Sequence, residues 1–236
     1  MSLVLGPAWY DQIVSGRGGS ARLRARPGRS GTASAPATQA LRLDPDRDAI
    51  LQVPSAVPAS PLPLIVLLHG AGGRAERLLA RFGPAADAAG VAVLAVDSRG
   101  STWDAIRGDF GPDVTFIDRA LRRTFEIVSV DAKRLAVGGF SDGATYALSL
   151  GVINGDLFRR IVAFSPGFLV EGRAEGRPRV FVSHGTRDEI LPIDRSSRVL
   201  VPFLRLSGYA VTFREFDGGH DVPAAIAAEG FTWITT

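Results

Sequence analysis

The chain has 236 residues, a length at which an α/β protein still folds as one domain. Hydrophobic residues make up 46% and charged residues 22%, so the composition supports a sizeable core and excludes a disordered chain. There is no cysteine, which excludes disulfides, thiolate metal sites and a cysteine nucleophile.

The net charge is only +3, and Lys133 is the single lysine beside a large number of arginines. A nucleic-acid surface needs its positive charge concentrated, so we expect no nucleic-acid partner. The longest apolar run, around Leu62 to Leu68, is far shorter than the ~20 residues of a membrane span. Met1 to Leu5 lacks the basic flank of a signal peptide. We expect a soluble, cytoplasmic protein whose oligomeric state the sequence does not indicate.

Residues 1–60 predict antiparallel edge strands. Arg17 to Arg29 is rich in arginine, and within it Ala21 to Arg26 alternates arginine with Leu23 and Ala25, as in an edge strand with its arginines outward. A basic contact arm is the alternative. Apolar residues on both sides of Asp44-Pro45-Asp46 then predict a hairpin.

From residue 62 onward, short aliphatic runs alternate with helical patterns. This alternation predicts an α/β fold: a mostly parallel, twisted sheet with helices on both faces and no large cap domain. We expect a single domain, with residues 62–236 as its catalytic core. In such sheets chemistry collects at the carboxyl ends of the strands. The predicted strands are Leu64 to Leu68, Val91 to Val96, Arg134 to Val137, Arg160 to Phe164, Arg179 to Val182 and Val211 to Phe216; the predicted helices are Arg74 to Ala89, Asp113 to Val128, Gly143 to Gly151 and Asp194 to Leu206.

A GxSxG motif, Gly139-Phe140-Ser141-Asp142-Gly143, lies between a predicted strand and a predicted helix. In that context the serine stands on a strained turn, and the two glycines let strand and helix approach each other. The helix start also favours an oxyanion near the serine. Ser141 is therefore the candidate nucleophile, and the alternative is a glycine-rich turn with an incidental serine.

Serine needs a base, and the chain has three histidines. His69 and His184 are each followed by glycine in a tight turn and are expected to be buried structural residues. His220 ends the flexible Gly218-Gly219 loop after the last strand, where its side chain can reach over the sheet edge. It is the candidate base.

The acid that orients the base is expected between the serine and the histidine in the chain. Asp188, in the loop after the strand Arg179 to Val182, is the best candidate, with Glu189, Asp194 and Asp217 as competitors. Asp142 lies in the first helical turn and is expected to be a surface carboxylate there.

The oxyanion hole needs two amides. One is expected from Asp142 and the other from the loop His69-Gly70-Ala71-Gly72-Gly73. Ala71 is the preferred donor, with Gly72 as the alternative.

The sequence resembles the α/β-hydrolase superfamily in four places. They are the glycine loop (His69-Gly70-Ala71-Gly72-Gly73), the GxSxG motif, the stretch His184 to Pro192, and Gly218-Gly219-His220. Within this superfamily the chain looks most like the phospholipase/carboxylesterase family, which includes acyl-protein thioesterases. The resemblance implies a Ser141, Asp188, His220 triad that acts on carboxylic esters or thioesters. One position departs from the family pattern, because Asp142 stands where glutamine is usual.

Only thirteen residues, Pro166 to Pro178, separate the apolar strand ending at Ser165 from the next strand, too few for a multi-helix lid. We therefore expect an open site for a small ester substrate, with no cofactor and no metal. Candidate substrate-binding residues are Trp103, Phe168 and Leu191. Arg99 or Arg107 is a candidate for binding an anionic group of the substrate.

Two other functions fit parts of the sequence. Gly70, Gly72 and Ala75 have GxGxxA spacing and Asp97 ends the next strand, a pattern typical of a dinucleotide-binding Rossmann protein. That interpretation leaves Ser141 and His220 unexplained. The second alternative function is that of a non-catalytic relative, which keeps the fold and binds a ligand in the same pocket.

Overall fold

The computed structural model describes residues 13–14, 21–28, 35–56 and 61–236. Arg17 and Arg29, at the two ends of the arginine-rich segment, lie outside the described residues. The start Met1 to Leu5 also lies outside them, so what the sequence predicts for these positions stays a prediction.

Eight strands of the described chain form one sheet. They are β2 (Ala37–Ala40), β3 (Ala49–Val53), β4 (Leu62–Leu68), β5 (Ala92–Val96), β6 (Val130–Phe140), β7 (Arg160–Phe164), β9 (Arg179–Gly185) and β10 (Val211–Phe216). Their order is β10-β9-β7-β6-β4-β5-β3-β2, and β1 (Ile13–Val14) pairs separately with β8 (Leu169–Val170). Within the large sheet, β2 is antiparallel to β3 and β3 to β5, whereas the other neighbours are parallel. The predicted mostly parallel sheet is confirmed.

Helices cover both faces of this sheet, as predicted. They are α1 (Ala75–Ala88), α2 (Asp104–Arg107), α3 (Pro112–Ile127), α4 (Asp142–Ile153), α5 (Ser197–Leu206) and α6 (Ala224–Thr235). One apolar cluster packs α1 and α6 on one face, and a second packs α3, α4 and α5 on the other. Every residue of β4 is therefore buried, which explains its uninterrupted apolar sequence. In the described part of the chain, no helix has the length and apolar character that a membrane crossing requires.

The prediction of an edge strand at Ala21 to Arg26 was wrong. The alternation is real, since Leu23 and Ala25 are buried and the arginines between them are exposed, but this stretch pairs with no strand of the sheet. Its backbone amides instead donate hydrogen bonds to side chains. The amide of Leu23 donates to Asn154 (2.8 Å). The amides of Arg24 and Ala25 donate to Asp118 (2.6 and 2.7 Å). These acceptors replace a strand ladder.

The hairpin forms where the sequence predicts it, with β2 and β3 as its strands. Between β7 and β9 the described chain contains only the two-residue strand β8 and no helix, in keeping with the absence of a large cap. The carboxyl ends of β4, β6, β9 and β10 consequently open onto the same edge of the sheet.

Candidate active site

Ser141 lies on the sharp turn between β6 and α4, with φ 57° and ψ −124°. This positive φ is costly for a residue with a side chain and is kept only where the surroundings impose it. The close packing here explains the flanking glycines. A Cβ on Gly139 would lie 2.6 Å from the carbonyl oxygen of Leu68, and one on Gly143 would overlap the same oxygen. The two glycines thus allow β4, β6 and α4 to meet behind the serine.

The structure brings Ser141, His220 and Asp188 together from three separate loops. Nε2 of His220 lies 2.8 Å from Oγ of Ser141, and its Nδ1 lies 2.7 Å from Oδ2 of Asp188. A carboxylate only accepts, so Nδ1 carries a proton and Nε2 of the neutral ring is free to accept from the serine hydroxyl. The ring of Phe140 packs against the imidazole, with centroids 4.9 Å apart.

The carboxylate of Asp188 is held on both oxygens. Its Oδ1 accepts from the amides of Ile190 (3.0 Å) and Leu191 (2.8 Å), while Oδ2 faces His220. Burial acts to raise the pKa of Asp188, but the Leu191 amide and His220 outweigh it, so the pKa lies below its ordinary value. The group is therefore a carboxylate at neutral pH.

The competing acids are engaged elsewhere. Asp194 pairs with Arg198 at 2.8 Å, and Asp217 pairs with Arg187 at 2.5 Å. Neither contacts His220 in the described structure. Glu189 is exposed.

His184 is fully buried, as expected, but it also contacts Asp188, a contact not predicted from the sequence. Its Nε2 lies 2.8 Å from the carbonyl oxygen of Leu191 and 3.1 Å from Oδ2 of Asp188, and its Nδ1 lies 2.7 Å from Oγ of Ser197. Burial lowers the pKa of His184 and favours the neutral ring. Its proton lies on Nε2, because the carbonyl and carboxylate oxygens there can only accept. The signal in the sequence is the spacing of four residues between His184 and Asp188.

His69 is buried as well and holds the glycine loop after β4. Its Nδ1 donates to the carbonyl of Gly70 (2.7 Å), and its Nε2 accepts from the amide of Ser98 (3.0 Å). Burial lowers the pKa of His69, so the ring is neutral and links this loop to the loop after β5.

Within the glycine loop, the amide of Gly72 donates to the carbonyl of Ser101 (2.7 Å) and that of Gly73 to Gly70 (3.0 Å). The alternative oxyanion donor, Gly72, is therefore already used. Among the described residues no acceptor takes the amide of Ala71, and Ala71 is exposed. The amide of Asp142 is the first of α4, where helix amides have no partner within the helix. Neither preferred donor amide thus has an acceptor among the described residues, which leaves both free to donate.

Trp103 does not line a pocket, contrary to the prediction. It has no exposed surface, its indole N–H donates to the carbonyl of His69 (2.8 Å), and its ring packs between His69 and Tyr146. The ring is buried in the apolar core, and its hydrogen bond to His69 supports the glycine loop. The side chain of Asp142 joins the same region by accepting from Thr102 Oγ1 at 2.6 Å.

The other two candidate substrate-binding residues remain predictions. The side chain of Leu191 is half-buried beside Gly167, and the amide of the same residue donates to Asp188. Phe168 is half-buried and packs against the core cluster of α3, α4 and α5.

The prediction that Arg99 binds an anionic group of the substrate was wrong. Its guanidinium pairs with Asp44 at 3.2 Å, donates to the carbonyl of Asp97 at 2.9 Å and lies 3.5 Å above the ring of Phe116. Arg99 therefore ties the hairpin to α3. Arg107, the other candidate, donates to Oγ of Ser101 at 2.8 Å.

Asp97 also fails to match a ribose-binding acid. It is buried, accepts the first amide of α1 from Ala75 (2.7 Å) and pairs with Arg74 (3.2 Å). The carboxylate therefore occupies the helix N-terminus where a dinucleotide would place its pyrophosphate.

Several known proteins are similar to this chain in sequence or in fold. Residues 114–226 match the model of a family described as Phospholipase/Carboxylesterase. The protein named "Putative esterase NocK" of Nocardia uniformis subsp. tsuyamanensis is 33% identical over 144 residues, which cover 56% of this chain and 42% of NocK. The chain thus spans less than half the length of that relative.

Two solved structures show the fold. Fluorophosphonate-binding serine hydrolase F of Staphylococcus aureus matches with a TM-score of 0.65 at 16% identity, over 86% of this chain and 100% of its own. The carboxylesterase of Bacillus cereus matches with a TM-score of 0.61 at 20% identity, over 81% and 95%. These structures and this chain share the α/β-hydrolase fold. Residues 114–226 are similar to the phospholipase/carboxylesterase family, as the sequence motifs imply.

Proposed function

We propose that the chain is a serine hydrolase that cleaves small carboxylic esters or thioesters through an acyl-enzyme. The observation that carries the proposal is the single imidazole of His220, 2.8 Å from the hydroxyl of Ser141 and 2.7 Å from the carboxylate of Asp188. The names esterase, carboxylesterase and serine hydrolase of similar proteins support it. The cytoplasmic location and the single domain that the sequence predicts stay predictions.

In the first half of the reaction, Oγ of Ser141 attacks the carbonyl carbon of the ester while Nε2 of His220 takes the hydroxyl proton. Asp188 holds the ring in the required tautomer and stabilises the imidazolium that forms. The amides of Ala71 and Asp142 donate to the oxyanion. His220 then gives its proton to the leaving oxygen or sulfur, and the acyl group stays on Ser141.

The second half repeats the proton transfers with water. His220 removes a proton from water, the hydroxide attacks the acyl-enzyme, and the carboxylic acid leaves as Oγ of Ser141 regains its proton. The half-buried His220, with a side chain 16% exposed, leaves water a path to Nε2.

A fluorophosphonate probe tests the proposal directly. We expect the probe to label the protein and Ser141→Ala to abolish both labelling and hydrolysis of p-nitrophenyl esters of graded chain length. Ser165→Ala is the matched control, because Ser165 also has a positive φ (52°) but is fully buried. A folded protein that takes up no probe and cleaves none of the esters is a non-catalytic relative, and the proposal fails.

The orienting acid has its own test. Asp188→Asn keeps the shape of the side chain but favours the wrong tautomer of His220, so we expect kcat to fall by ~10⁴ at neutral pH. Asp217→Asn, in an exposed pair with Arg187, is the control and should leave kcat within a factor of two. Equal effects of the two substitutions would contradict the role of Asp188.

A further inference from the structure

A cleft of about 200 Å³ lies beside the candidate active site, between α1 and the loop after β4. Its lining residues include Gly70, Ala71 and Phe140. Gly70 abuts the nucleophile, since a Cβ placed on it would lie 3.2 Å from Cβ of Ser141. Phe140 packs on the ring of His220. The cleft is therefore lined by the proposed oxyanion donor, Ala71, and by a ring that contacts the proposed base.

The lining of this cleft also includes three arginines, Arg74 just before α1 and Arg77 and Arg81 within it, and none of the described residues that line it is acidic. Arg74 is paired with Asp97 at 3.2 Å and with Asp46 at 3.5 Å. Arg81 is paired with Asp221, which directly follows His220, and its guanidinium lies 5.0 Å from the ring centre of Phe140.

Arg77 differs from its two neighbours. It is exposed at the cleft, and among the described residues no carboxylate or carbonyl accepts from its guanidinium. Arginine presents two parallel donors that match a carboxylate, so an unpaired guanidinium beside apolar surface is suited to an anionic ligand. The apolar floor, which includes Leu78 and Phe82, suits the body of such a ligand.

The direction of proton transfer indicates which part of an ester substrate would bind in the cleft. His220 gives its proton to the leaving group, so the leaving oxygen or sulfur must lie on the His220 side of the serine. The cleft adjoins that side, because two of its lining residues contact it: Phe140 packs on the ring of His220, and Arg81 pairs with Asp221, the residue after His220. We infer that this cleft binds the leaving group of the substrate and that Arg77, assisted by Arg81, recognises a carboxylate on it; this inference rests on the proposed function.

Matched esters test the inference. 4-Acetoxybenzoate has an anionic leaving group, methyl 4-acetoxybenzoate has a neutral one, and phenyl hydrogen succinate carries its carboxylate on the acyl side. The quantity to compare is kcat/KM for 4-acetoxybenzoate divided by kcat/KM for its methyl ester. We expect Arg77→Gln to lower this ratio about fivefold and Arg77→Glu to lower it further. Raising the salt to 0.5 M should shift the wild-type ratio in the same direction.

Arg123→Gln is the control, because Arg123 is also an exposed helix arginine, pairs with Glu126 at 2.8 Å and does not line the cleft. It should leave the ratio unchanged. An equal ratio in wild type and Arg77→Gln overturns the inference. An Arg77→Gln loss that is as large for phenyl hydrogen succinate overturns the assignment to the leaving group.

Binding without turnover separates this inference from the proposed function. In the Ser141→Ala background, calorimetry should show that Arg77→Gln weakens binding of uncleaved 4-acetoxybenzoate about fivefold and Arg123→Gln does not. If wild type cleaves no ester but this difference appears, the proposed function fails and the anion site stands. If binding does not depend on Arg77, the anion site fails whatever the activity.

Discussion

His184, near the end of β9, contacts Asp188 in the loop that follows, where Nε2 of His184 lies 3.1 Å from Oδ2 of Asp188. The same carboxylate oxygen faces His220 at 2.7 Å, so two imidazoles share one acceptor. Because His184 is fully buried and fixed by Ser197, it limits the positions that the carboxylate can take. His184 is thus a positioning residue for the proposed triad rather than a member of it.

Removing this contact should slow turnover moderately. We expect His184→Ala to lower kcat about tenfold, because a hydrogen bond to a charged group contributes about 1.5 kcal/mol and Asp188 keeps its other partners. His184→Gln, whose amide can still donate, should recover part of the loss. Steady-state kinetics on one p-nitrophenyl ester measures both variants. A folded His184→Ala protein with wild-type kcat would contradict the positioning role.

Acid should destabilise the protein through its two buried histidines. Burial lowers the pKa of His69 and His184 below the ordinary 6.5, so the unfolded chain binds more protons than the folded one as the pH falls below about 6.5. Each unit of lowering contributes about 1.4 kcal/mol that is present above pH 6.5 and is lost as the pH falls through the folded pKa. Tm should therefore decrease from pH 7 to pH 5, and the decrease should be smaller in His184→Gln. A Tm that rises over this interval would refute the argument.

Much of this site could be predicted from the sequence because its signals are local. The GxSxG motif requires a strand on one side and a helix on the other, and steric space alone dictates Gly139 and Gly143. His220 and Asp188 could be selected because few bases and acids follow strands in the right order. The continuous apolar runs likewise predicted the buried parallel strands, and for β7 the predicted bounds agree with the structure.

Features that depend on distant partners could not be predicted. Period-two burial at Ala21 to Arg26 is correct, but the acceptors that replace strand pairing, Asp118 and Asn154, come from far along the chain. Helix α6 was missed because it is apolar nearly all round and contains Gly230, so it has no amphipathic period. The residues around Trp103 do not indicate whether its ring points into the core or into a pocket, since an aromatic residue on a loop is compatible with both.

The close approach behind the nucleophile makes a sharp stability prediction. In Gly143→Ala the new Cβ would overlap the backbone oxygens of Leu68 and His69, which cannot move without shifting β4. We expect a loss of about 4 kcal/mol or more, equivalent to at least ~8 °C in Tm, or no soluble protein. Gly100→Ala is the control, because its nearest atom, the carbonyl oxygen of Thr102, lies at an ordinary 3.4 Å. Similar melting temperatures for the two variants would disprove the close packing.

Trp103 supports the glycine loop from below, and its replacement should affect catalysis as well as stability. Trp103→Phe leaves the carbonyl of His69 without its indole donor and opens space beside Tyr146. We expect a destabilisation of about 2 kcal/mol from the cavity and the unpaired carbonyl. We also expect a fall in kcat of about tenfold, because the amide of Ala71 is less well aimed at the oxyanion.

The matched control is Trp233→Phe in α6, where the indole is half-buried and packs on Phe181, away from the glycine loop. It should lower the free energy of unfolding without changing kcat. Urea unfolding and ester hydrolysis, measured on both variants at a temperature where both are folded, separate the two effects. If kcat falls equally in both, the loss reflects general loosening of the fold, and Trp103 has no particular link to the oxyanion donor.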